Sequence, residues 1–233
     1  MMQYNLALLD NPVWHALQTT HQKFAIGTPV IQRYPAHILP FIGYEKSAVN
    51  PLNDILPWIT ANEKVFIVGD LPALPVSWSV LANLDCAQMI CPELPTAPVK
   101  NTMEILSLSQ EDNEEMFALI NLVQPGFFKR GTPLLGNYYG IKVQGKLIAM
   151  AGQRLGMQGF TEISAVCTHP DFTGKGFAQQ LVLHLCKNIH AQGTIPILHV
   201  LNTNKRAVGL YELLGFTKRR DIPFWQIIYT GKP

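Results

Sequence analysis

The sequence predicts an α/β (α+β) fold in which a smaller α/β domain precedes a larger C-terminal one. Three observations carry this. Strand-like and helix-like runs alternate regularly after residue 102, a proline-rich stretch divides the chain near Pro98, and the apolar content suffices for one large core or two modest ones. Of the 233 residues, 48% are hydrophobic and 15% charged. Together with a mean hydropathy of +0.12, this excludes a disordered chain.

In the first part the signals are irregular. Residues 11–20 read as a helix with Asn11 as its cap and Pro12 in its first turn. Strand-like runs follow at 36–42, 64–68 and 86–91, and Asn50-Pro51 opens another expected helix. Pro92, Pro95 and Pro98 then forbid a helix or a central strand and suit a stiff, extended linker. Residues 1–98 are therefore expected to form an N-terminal domain, and 99–233 the second.

The pattern sharpens after the linker. Residues 103–108 read as a strand, and Ser109 caps a helix through about residue 123, with Asp112 completing a variant capping box. Pro125-Gly126 breaks that helix. Two strands, 138–143 and 146–154, flank Gln144-Gly145 as a hairpin. Another strand spans 160–168. From Gly176 to Gln192, the apolar positions Ala178, Leu181, Val182, Leu185 and Ile189 recur at three- and four-residue steps, which makes one helical stripe ended by Gly193. A strand at 195–201, a helix at 205–214 stopped by Gly215, and strands at 216–220 and 224–229 complete the chain.

Charge and cysteine usage narrow the partners. Eighteen basic residues against 16 acidic ones give a net charge of +2, too little field to expect nucleic acid or an anionic membrane as a partner. No early segment reads as a signal peptide and no apolar run is long enough to span a bilayer. The four cysteines, at 86, 91, 167 and 186, match neither a zinc pattern nor a disulfide framework, so reduced thiols, no metal and a cytoplasmic protein are expected.

The segment Glu162 to Ala178 carries the chemistry. A strand runs into the loop Thr173-Gly174-Lys175-Gly176-Phe177-Ala178, which opens a helix. Unpaired amides at a helix N-terminus, with the helix dipole behind them, make a phosphate site. Glycines at 174 and 176 let an anion approach the main chain, and Lys175 can add charge. A plain strand-to-helix turn that needs glycine for its geometry is the competing reading. The triphosphate-loop and dinucleotide fingerprints are absent.

A second motif lies one helix and one strand further on: Asn204-x-x-Ala207-x-x-Leu210-Tyr211-x-x-Leu214-Gly215-Phe216. Together the two segments resemble the acetyl-CoA signature and the C-terminal signature of the GNAT superfamily of N-acetyltransferases, most closely its glycine-N-acyltransferase-like branch. The resemblance runs from about residue 102 to 229. It implies a mixed, mostly antiparallel sheet flanked by helices, with the N-terminal domain a degenerate copy or a module that covers the acceptor site. It also implies direct attack of an amine on the thioester of acetyl-CoA. Ala165, Val166 and Thr168 would lie beside pantetheine in a slot where two strands splay apart, with Val166 N–H as the oxyanion donor. The amides from Phe172 through Thr173, Gly174, Lys175, Gly176 and Phe177 to Ala178 would hold the pyrophosphate. Asn204 would bind pantetheine amides, and Tyr211 would protonate the leaving thiolate.

Thr173 stands where the family has Arg or Gln, which implies weaker CoA binding. Strand alternation places Glu162, Ser164, Val166 and Thr168 on one face, so Glu162 is the candidate base, with His199 an alternative and His169 a turn residue. Phe127, Phe128 and Lys129 fall where the acceptor pocket wall forms in the family. The acceptor implied is a small amine or amino acid rather than a peptide N-terminus, and a homodimer is allowed. The alternative is a catalytically silent module that binds acyl-CoA.

Overall fold

The structure is a computed structural model, and it describes residues 4–96, 98 and 102–231. The positions next to the expected domain boundary, 97 and 99–101, lie outside the described residues. Among the described residues eleven strands form one sheet. In chain order they are β1 (Ile26–Gly27), β2 (Ile31–Arg33), β3 (Phe41–Tyr44), β4 (Lys64–Val68), β5 (Trp78–Ile90), β6 (Leu106–Leu108), β7 (Tyr138–Val143), β8 (Lys146–Met157), β9 (Phe160–Thr168), β10 (Ile195–Leu201) and β11 (Thr217–Tyr229). Their spatial order is β1-β2-β3-β4-β11-β5-β10-β9-β8-β7-β6. Only β3 with β4 and β9 with β10 run parallel, so the sheet is mixed and mostly antiparallel.

Both sides of the proline stretch contribute to this sheet. Strand β5, from the first part, lies between β10 and β11 and pairs with both, Cys86↔Leu201 on one side and Trp78↔Tyr229 on the other. Residues 216–220 and 224–229, expected as two strands, are one strand, because Pro223 keeps its place opposite Asp85. Its carbonyl accepts from Gly69 N at 2.9 Å.

Among the described residues four α-helices cover the sheet: α1 (Pro12–Gln18), α2 (Asn113–Val123), α3 (Phe177–Ala191) and α4 (Lys205–Leu213). The apolar stripe of α3, with Leu181, Val182, Leu185 and Ile189 fully buried, packs on Ile148, Ala151 and Ile163. Each such side chain contributes about 1.5–3 kcal/mol through burial. The opposite face is covered by α1 through Val13, Ala16 and Leu17 and by α2 through Met116, Leu119 and Ile120. Ser109 and Asp112 form the expected capping box, with Ser109 N donating to Asp112 Oδ2 at 2.8 Å. Asn11 behaves differently from expectation. Its side chain makes no cap bond but donates to Tyr44 O at 2.7 Å, tying α1 to β3.

Buried His21 joins the two parts of the chain. Its Nε2 donates to Leu135 O at 3.2 Å, which leaves Nδ1 to accept from the Tyr34 hydroxyl at 2.9 Å. Burial pushes the His21 pKa from 6.5 down to about 4. The unfolded chain therefore binds the proton more readily, and stability from this site is present above pH 6.5 and is lost as pH falls toward 4. Urea melts at pH 7 and 4.5 should differ by roughly 2 kcal/mol from this group alone. His21→Gln should shrink that difference, and an unchanged difference would discharge His21.

Candidate active site

The site forms where β9 and β10 part. They pair only over Phe160↔Ile195, Thr161↔Pro196 and Glu162↔Ile197. Beyond Glu162 no pairing joins them, while β10 continues along β5 as far as Leu201. The splay expected at this point is present. A cavity of about 170 Å³ opens in it, lined by Ser164, Ala165 and Val166 on one side and His199, Val200 and Leu201 on the other.

A bulge shapes the β9 wall. Met150 faces Cys167 and Gly152 faces Ser164, so Ala151 alone opposes both Ala165 and Val166. Ala165 takes the left-handed conformation, with φ of +52°, a strained choice for a residue with a Cβ. The bulge also breaks the side-chain alternation. Val166 packs with Ile163 beneath α3, whereas Ala165 and Cys167 pack beneath α2. Glu162 and Val166 therefore lie on opposite faces, not on one face as strict alternation requires.

Glu162 itself is fully buried. Arg154 Nε and Nη2 reach its two carboxylate oxygens at 2.9 and 2.5 Å, and His199 Nδ1 donates to Oε1 at 2.7 Å. Burial alone would raise its pKa; the Arg154 charge and the His199 ring override this and hold it down to about 2. A carboxylate so weakly basic and so enclosed is a poor proton acceptor. His199 is equally committed. Gln88 donates through Nε2 to Leu9 O at 2.8 Å and accepts at Oε1 from Arg219 at 2.7 Å, which fixes its orientation. The same Nε2 lies 3.0 Å from His199 Nε2, so it occupies that nitrogen's lone pair. Glu162 thus sits in a buried network and not on the open strand face that alternation suggested.

The turn into α3 is built as expected. Gly174 and Gly176 have φ of +79° and +83°, and Gly176 caps the helix. A Cβ at Gly174 would meet nothing within 4 Å. None of the amides from 174 to 179 finds a backbone acceptor among the described residues. Thr173 donates its hydroxyl to Pro170 O at 3.1 Å, back into its own loop, and Lys175 sits over the Phe172 ring at 4.8 Å. Thr168 is half-buried at the end of β9, ahead of this turn. His169 is the turn residue expected, its Nδ1 accepting from Asp171 N.

Helix α4 brings Asn204, Ala207 and Tyr211 to the cavity. Asn204 caps the helix, accepting from Ala207 N at 3.1 Å. Tyr211 is 8% exposed, and burial raises its hydroxyl to about 12. Lys205 and Arg206 are exposed. Phe127 and Phe128 both line the cavity, and Phe128 also packs against Tyr138 in the core. Sequence reasoning missed three lining residues from the first part of the chain, Leu39, Leu84 and Cys86, and also Arg154. One signal for Arg154 existed: after Lys146 it is the sole charge in β8, and Glu162 is the sole charge in adjacent β9.

All four cysteines are free and buried. Among the described residues there is no cluster that could hold a metal ion and no helix long and apolar enough to cross a membrane.

Comparison with known proteins agrees with this geometry. Residues 138–225 match the family model of the FR47-like proteins. No curated protein matches the chain. A protein from Novosphingobium aromaticivorans DSM 12444, assigned to the GNAT family of acetyltransferases, is similar at 29% identity with a TM-score of 0.86, covering 95% of this chain and 98% of that one. A GCN5-related N-acetyltransferase from Kribbella flavida shares the fold at 12% identity and a TM-score of 0.63, covering 97% of this chain and 96% of that one. The chain thus has the fold of the GNAT acetyltransferases, and its residues 138–225 match the FR47-like family.

Proposed function

We propose that this protein is an acetyl-CoA-dependent N-acyltransferase that moves an acetyl group to a primary amine by direct attack on the thioester, nearest in kind to the glycine-N-acyltransferase-like branch. The observation that carries the reading is the coincidence of three features at the end of β9, where Val166, Phe172, Phe177 and Tyr211 pack in one cluster. These are the β9–β10 splay with its bulge at Ala165, the run of unpaired amides from 174 to 179, and Tyr211 on the cavity wall. A plain glycine turn explains the second feature alone, not its placement beside the other two.

Acetyl-CoA would supply the activated acyl group. The residues present fit it: the amides of Gly174, Lys175, Gly176, Phe177 and Ala178 suit a pyrophosphate, Ala165, Val166 and Asn204 line the cavity, and Thr168 ends the strand between the cavity wall and the turn. Thr173 offers no phosphate contact from its side chain, so affinity rests on main-chain donors. At the bulge Ala165 and Val166 share the single opposing residue Ala151 and have no one-to-one partner on β8, and pairing with β10 has ended. Val166 N–H is therefore the donor proposed for the developing oxyanion. Tyr211 keeps its proton across the working pH range and would give it from its hydroxyl to the leaving thiolate as the C–S bond breaks. With Glu162 and His199 committed to the buried network, the amine loses its proton to water in the cavity. Leu39, Leu84 and Cys86 make the first part of the chain the cover of the acceptor site. Segment 131–132 is pinned to that cover by Gly131 N to His37 O at 2.9 Å and Thr132 Oγ1 to Ile38 O at 2.7 Å.

Thiol release from acetyl-CoA across a panel of amines tests the reading, with Gly176→Val as the control. A valine Cβ at φ +83° strains the turn and blocks the main chain. CoA binding by calorimetry should disappear in that variant. Unchanged binding would remove the site, and wild-type binding without thiol from any amine would favour the silent module.

A further inference from the structure

We infer that Arg154 is the specificity determinant of the cavity, and that the acceptor is an apolar amine carrying a carboxylate, of which an aliphatic or aromatic α-amino acid is the simplest case. This rests on the acyltransferase reading and narrows it.

Arg154 lines the cavity with 11% of its side chain exposed. Glu162 takes Nε–H and one N–H of Nη2. Nη1 has no hydrogen-bond partner among the described residues, so a guanidinium has five N–H groups and three of them remain unspent here. Nη1 and the outer N–H of Nη2 form an edge that matches the two oxygens of a carboxylate. The group is rigid: Glu162 holds one edge, and the rings of Phe41 and Phe224 lie 5.1 and 5.9 Å from its central carbon.

The rest of the wall carries no anion, and its other polar residues, among them Gln124, Ser164, Asn204 and Tyr211, are neutral. Leu39, Leu84, Ile120, Phe127 and Phe128 are apolar, and no Asp or Glu lines the cavity. Thr132 Oγ1 is spent on Ile38 O, and both nitrogens of His199 are engaged. An amine with a purely apolar body would cover Nη1 and leave it without water or partner, which a binding site penalises. A carboxylate on that body satisfies it with charge-assisted bonds.

Three product analogues with one apolar body separate the cases without needing turnover: N-acetylphenylalanine, N-acetylphenylalaninamide and N-acetylphenethylamine, each titrated by calorimetry in the presence of CoA. The acid should bind about tenfold or more tighter than the other two. Arg154→Met combined with Glu162→Gln removes both charges together, and the preference should vanish in this variant. Should that variant fail to fold, Arg154→Lys keeps a cation for Glu162 while giving up the second edge, and the preference should fall in the same direction. Equal binding of the three ligands, no binding of the acid, or a preference that survives these variants overturns the inference. Thiol release from amines with no preference for acids sinks this inference alone. Acid binding that depends on Arg154, with no thiol from any amine, leaves it standing and sinks the transferase reading.

Discussion

Tyr211→Phe should lower the turnover of acetyl transfer by about a hundredfold or more, within the range of a positioned general acid, while CoA affinity stays within about twofold because no binding contact is lost. The ring is held by Phe216 at 5.9 Å and by the core beneath α3, so removing one oxygen leaves the packing intact. The hydroxyl makes no hydrogen bond to the protein among the described residues, and Tyr211 lines the cavity. Its loss therefore removes chemistry rather than support. Burial holds its pKa at about 12, so the wild-type rate should show no loss of this acid up to about pH 10. Steady-state rates across pH 6–10 and calorimetry with CoA check both halves. Turnover equal to wild type at every pH would take Tyr211 out of the acid role.

Glu162→Leu should destabilise the fold by roughly 3–5 kcal/mol, the cost of stranding one charge of a buried pair. In a chain of this size that lowers Tm by roughly 10 °C. The carboxylate is 0% exposed and its partner Arg154 has no second anion among the described residues. His199 Nδ1 would lose its acceptor as well. Glu162→Gln keeps an oxygen for His199 and should cost less. The pH dependence has a definite sign. The folded pKa is about 2, below the ordinary 4.5, so the contribution of Glu162 is complete above pH 4.5 and is lost as pH falls toward 2. A leucine variant that melts with the wild type would mean that the network carries no stability.

Much of the second part was legible because its local signals agree with its packing. Strands β9 and β10 and the hairpin turn fall where periodicity and Gln144-Gly145 put them, and the stripe of α3 is the face that is buried. Strand β5 was read only at its end. Its first half, Trp78 to Asp85, pairs with β11 alone and is mostly exposed, so it lacks the apolar alternation that marks a strand. The shared face assigned to Glu162 and Val166 failed for a different reason. Alternation assumes regular pleating, and the bulge that breaks it sits at an alanine, whose side chain gives no sign of a positive φ. Of the partners of Glu162, Arg154 lies 8 residues away across the β8–β9 hairpin, but His199 lies 37 away, and Gln88, which holds His199, lies 74 away; only the completed sheet brings these two in.

The place of β5 has a consequence for how the chain is made. Its thirteen residues emerge from the ribosome well before both of their neighbours, β10 and β11, which follow only after β6 to β9. Until the final strand is released, the first part has no edge to complete and the later part has a gap in its middle, an arrangement of high contact order that folds slowly. Severing the chain in the proline stretch should therefore yield two insoluble pieces, and co-expressing them is the way to recover a working protein.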